Sequence, residues 1–116
     1  MIVDIWTYRE NVGFDPTAGH DVVGFGVEAE DGSIGSIDEA TYDVGSSYIV
    51  VDTGPWIFGK KVMLPAGVVD RVDVEEEKVY VNRTKDEIKS APELDEGGAD
   101  DPAYRHALGA HYNSRP

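Results

Sequence analysis

The sequence has no cysteine, which excludes disulfides, zinc knuckles, iron–sulfur ligation and thiol catalysis. Leucine is almost missing: three residues, against 22 valines and isoleucines. Basic residues are scarce in the first half, where Arg9 stands alone against eleven carboxylates among residues 1–59. No apolar run approaches the ~18–20 residues that cross a bilayer as a helix. No basic stretch followed by an apolar one opens the chain, so no signal peptide is expected. With a net charge of −13, a basic face for nucleic acid is not expected, nor is docking onto anionic lipid. These shortages set the first expectation: a cytoplasmic protein with no nucleic-acid partner and no direct membrane insertion.

What is present points to strands. The 116 residues suit one domain and leave little room for two cores. β-branched side chains fit a pleated surface and lose rotamer freedom in helices. Thirteen glycines supply tight turns. The charge is uneven: residues 1–59 sum to −10, residues 60–92 hold seven charges of each sign, and residues 93–116 sum to −3.

Residues 1–21 read as an arm whose aromatics, Trp6 and Tyr8 among them, pack on the main body or meet a partner. From Val22 to Ala29 apolar residues alternate with glycine and glutamate, a half-buried strand. A turn at Glu30–Ser33 leads to a second strand, Ile34 to about Tyr42. Ser47 to Asp52 is nearly all apolar, as in a strand buried on both faces. Lys61–Leu64 is a fourth strand. Val68–Val74 and Lys78–Asn82 form a hairpin in which Val72 and Val74 face Val79 and Val81. Thr84 and Glu87 match a capping box for a short helix ended by Pro92. Residues 93–101 read as an acidic linker. Asp101-Pro102 then starts a second short helix that stops at Gly109. About six short strands without a long covering helix must curl to bury one face, which predicts a small antiparallel β-barrel.

Several motifs carry residue types found in known chemistry. Gly24-Phe25-Gly26-Val27-Glu28-Ala29 fits the dinucleotide fingerprint by letter, but a turn follows where a helix is needed, so these are strand glycines at a bend. Glu28, Glu30, Asp31 and Glu39 miss the register of a calcium loop and read as a solvated turn. His106 and His111 are five apart, not the four that stack two ligands on one helix face, and His20 lies far off in sequence. No metal and no cofactor are expected. Asn82-Arg83-Thr84 is an accidental glycosylation sequon. Asp52-Thr53-Gly54, after Ile49-Val50-Val51, resembles the active-site turn of aspartic proteases, where two copies share one proton between paired carboxylates. Asp52 is thus the catalytic candidate of an alternative reading, a homodimeric hydrolase. Pro55-Trp56 departs from that pattern. Trp56, Ile57 and Phe58, between Gly54 and Gly59, are candidates for protein contact, because exposed aromatics anchor interfaces.

Residues 22 to about 94 resemble the PRC-barrel family. The resemblance rests on Val22-Val23-Gly24-Phe25, Asp31-Gly32-Ser33-Ile34-Gly35-Ser36-Ile37-Asp38, Tyr48–Asp52 and Lys61–Pro65. Val79–Val81 and the stretch Thr84–Pro92 complete it. The family includes the cytoplasmic domain of the photosynthetic reaction-centre H subunit and the C-terminal domain of a ribosome maturation factor. Some stand-alone members are linked with stress responses. The resemblance implies a barrel over 22–92, an N-terminal arm (1–21) and a linker with a helical tail (93–116). It also implies a docking or assembly module without shared catalytic residues. The leading expectation is a non-enzymatic, self-associating module, a dimer in the simplest case, with a protein partner.

Overall fold

The computed structural model of the chain describes residues 5, 6, 8, 21–42, 47–54, 61–92 and 101–113. Six strands follow in order: β1 (Gly26–Ala29), β2 (Gly32–Ala40), β3 (Tyr48–Asp52), β4 (Lys61–Pro65), β5 (Val69–Asp73) and β6 (Lys78–Val81). A 3-10 turn, Ala66–Val68, separates β4 from β5. Two helices come last, α1 (Lys85–Lys89) and α2 (Pro102–Asn113).

The strands form one sheet in the order β4-β3-β2-β1-β6-β5. The two edge strands are consecutive in the chain, joined by three residues. The sheet must therefore curl until its two edges meet at one corner. No ladder joins β4 to β5 among the described residues, so the sheet is curled but not closed. Four of the five strand pairs are antiparallel, as expected; β1 and β6 run parallel. The β5–β6 hairpin docks as a unit on the free edge of β1. Side-chain alternation is blind to the direction in which it arrives.

Burial follows the alternation where one face is wet. Val27, Ile34, Ile37, Val72 and Val79 point inward, while Ser36 and Asp38 face out. Tyr48–Val51 are all buried, as the unbroken apolar run predicts. The first strand is shorter than its pattern: Val22 is buried, but Val23–Gly24 form a turn, with Gly24 at φ +90°. The hairpin differs too. Val72 pairs with Val79, but Val81 pairs with Val69, and Val74 is exposed. A bulge between Val69 and Arg71 shifts the register, and no alternation rule anticipates an extra residue.

At Gly35, φ is +146°, and a Cβ there would lie 2.0 Å from the carbonyl oxygen of Asp52. Only glycine lets β2 lie this close to the end of β3. The capping box forms as read: the Thr84 hydroxyl accepts from Glu87 N, and the Glu87 carboxylate accepts from Thr84 N. Helix α2 runs four residues past Gly109, where the sequence suggested a stop. Gly109 is buried against Trp6, and that packing outweighs the ~1 kcal/mol helix penalty of glycine.

Candidate functional site

Asp52 closes β3 and is exposed. Its Oδ1 accepts from Gly54 N at 3.0 Å, an Asx turn, and Gly54 takes φ +54°. The carboxylate thus serves its own loop. Trp56, Ile57 and Phe58, which follow it, lie outside the described residues.

Trp6 and Tyr8 are both half-buried against the core. Ile5 and Trp6 are held by their backbone: Ser47 N donates to the Trp6 carbonyl and Gly67 N to the Ile5 carbonyl, both at 2.7 Å. A Cβ on Gly67 would sit 2.7 Å from that Ile5 oxygen, so glycine permits the approach. The Arg105 guanidinium of α2 lies 5.4 Å from the Trp6 ring and 5.0 Å from the Tyr48 ring. Trp6 and Asp52 therefore sit at opposite ends of β3, roughly 16 Å apart along the strand.

Tyr8 stacks on Tyr42 with ring centres 5.8 Å apart. The Tyr42 hydroxyl donates to Asp21 Oδ1 and accepts from Val22 N. Burial, then the bond to Asp21, pushes the Tyr42 phenol up to about 12. Burial raises Tyr8 further still. The same bond from Tyr42 holds the Asp21 carboxyl below its ordinary range.

No known protein-family profile matches this chain, and no curated protein matches it.

The residue that sequence reading missed is Arg83. It is 7 % exposed, and its Nη2 donates to the carbonyl of Tyr112 at 2.7 Å. Its Nη1 donates to the side chain and carbonyl of Asn82. Both ends of the sequon are thus in structural use, since the Thr84 hydroxyl caps α1. Beside Arg83, His111 Nε2 lies 2.7 Å from the Glu87 carbonyl, which makes it the protonated ring nitrogen. His106 is exposed, and His20 lies outside the described residues. Among the described residues no three His, Asp or Glu gather as metal ligands. Two of the acidic residues near β1 have other work. Asp31 accepts from Lys85 N at 2.8 Å, and Glu28 stands 4.0 Å from the Lys78 ammonium. No described helix is long and apolar enough to cross a membrane.

Proposed function

We propose that this chain is a non-enzymatic binding and assembly module of the PRC-barrel type that self-associates, with the Trp56–Phe58 loop as its contact for a protein partner. The observation that carries the reading is the strand order. Edge strands β4 and β5 are consecutive and share a corner, the arrangement of a small rolled sheet filled by its own side chains. Such a body offers surface and strand edges to a partner. The exposed, turn-bound carboxylate of Asp52 favours this reading over the hydrolase alternative, which needs two such groups sharing a proton.

Sedimentation of the full chain over a range of concentrations tests the self-association. A dimer whose population rises with concentration is expected. A monomer throughout would overturn the self-association, and acid-dependent peptide hydrolysis by the dimer, lost in Asp52→Asn, would overturn the non-enzymatic reading in favour of the homodimeric hydrolase.

A further inference from the structure

Residues Ile5 and Trp6 and helix α2, far apart in the chain, meet on one surface. Helix α2 lies over arm residues Ile5 and Trp6 and seals the corner where β4 turns into β5. It is attached differently from the strands. No backbone ladder holds it. Leu108 and Tyr112 enter the core, Arg83 grips the Tyr112 carbonyl in the last turn, and His111 reaches the Glu87 carbonyl. The helix caps itself, since Asp101 Oδ1 accepts from Ala103 N and the Asp101 carbonyl from Arg105 N. Its seat leaves one group unsatisfied: the Tyr112 hydroxyl is buried and has no hydrogen-bond partner among the described residues. A self-capped helix held by side chains, with a desolvated hydroxyl, belongs to the part of a fold that opens most readily.

We propose that α2 exchanges between copies, so that the helix of a second copy occupies the seat formed by Arg83, Glu87, Tyr48 and Trp6. This rests on the self-association reading and names its surface. The occupant follows from identity: a seat complementary to this α2 is complementary to the α2 of any copy. Reach allows it. From Pro92 to Asp101 are nine residue steps, roughly 30 Å when extended, against a shortest molecular axis of 29 Å. Charge favours it as well. Two copies of −13 repel, but residues 101–113 carry one carboxylate and one guanidinium, and residues 60–92, which hold Arg83 and Glu87, are neutral. The charged members of the exchanged contact, Arg83, Glu87 and helix α2, thus lie on segments without net charge, and Trp6 and Tyr48 add uncharged aromatic surface from the acidic half. Identical helix and seat residues make the assembly a closed two-fold dimer.

Complementation in the full-length chain tests this. Leu108→Asp spoils the helix, and Arg83→Glu turns the seat's charge against the helix C-terminus. Each variant alone is expected to be monomeric, while an equimolar mixture forms a heterodimer, one sound helix in one sound seat. Should either variant lose its strand signal in circular dichroism, a deletion of residues 94–99 decides. It leaves three steps, about 10 Å, less than the ~14 Å that α2 spans from Pro102 to His111. The helix then cannot return to its own seat, and dimers are expected at concentrations where the parent chain is monomeric. A parent chain that dimerises while the mixture and the deletion variant stay monomeric overturns helix exchange and leaves self-association to another face. Monomers in all three overturn both readings.

Discussion

At the scale of single residues, the positions that matter most are those where a neighbour forbids a side chain or a charge fixes one. Gly35 is the sharpest case. Alanine there meets the Asp52 carbonyl and must also hold a φ of +146°. Gly35→Ala is expected to lower stability by at least about 3 kcal/mol, read from urea denaturation. The Asp21–Tyr42 pair makes a pH prediction. The folded carboxyl lies below its free value of 3.8, so its stabilisation is complete above that pH and is lost as pH falls through the lower folded value. Tyr42→Phe is therefore expected to be less stable than the parent at neutral pH. The gap should narrow below about pH 3.8. A gap independent of pH would assign the whole effect to the bond from Val22 N.

At the scale of elements, local signals and tertiary signals separate cleanly. The capping box of α1 is a local device within four residues, legible from Thr84 and Glu87. Thr84→Ala should cost about 1 kcal/mol, measured by thermal or urea unfolding, with Thr84→Ser recovering most of it. Helix α2 is the opposite case. Its last turn exists because Gly109 lies against Trp6, a residue more than 100 positions away, and because Arg83 meets the helix C-terminus across 29 positions. Arg83→Ala leaves a buried carbonyl without its charged donor and is expected to cost about 2–3 kcal/mol. The loss should fall first on α2, as faster hydrogen exchange of the amides in residues 106–113 than in β3. Uniform loss across the sheet would mean that Arg83 supports β6 rather than the helix.

At the scale of the whole molecule, charge and topology dominate. A compact body of net charge −13 repels itself, and all of that net charge lies outside residues 60–92. Salt should therefore stabilise the fold. Raising ionic strength from about 0.01 M to about 1 M shortens the screening length from ~30 to ~3 Å, and the melting midpoint should climb with it. Dimerisation should strengthen over the same range. A midpoint indifferent to salt would show that the acidic side chains are already too far apart to interact. Topology adds what charge cannot. Ile5, Trp6 and Tyr8 before the sheet and the final helix after it pack into the same core as the strands.

Sequence alone made the six strands and the capped first helix legible, and it excluded thiol chemistry. These follow from alternation, β-branching, glycine placement and capping, all of which act over a few neighbouring residues. It could not supply the parallel docking of β6 on β1 or the bulge that re-pairs Val81 with Val69. Nor could it supply the Arg83–Tyr112 bond or the meeting of the arm with α2. Each of these depends on which surfaces meet after the chain has curled. Alternation shows that a face is apolar without naming its partner, and an arginine between Asn82 and Thr84 looks the same whether it ends in solvent or beneath a helix. Folding at long range makes Arg83 a buried anchor and brings Ile5 and Trp6 onto the same surface as α2.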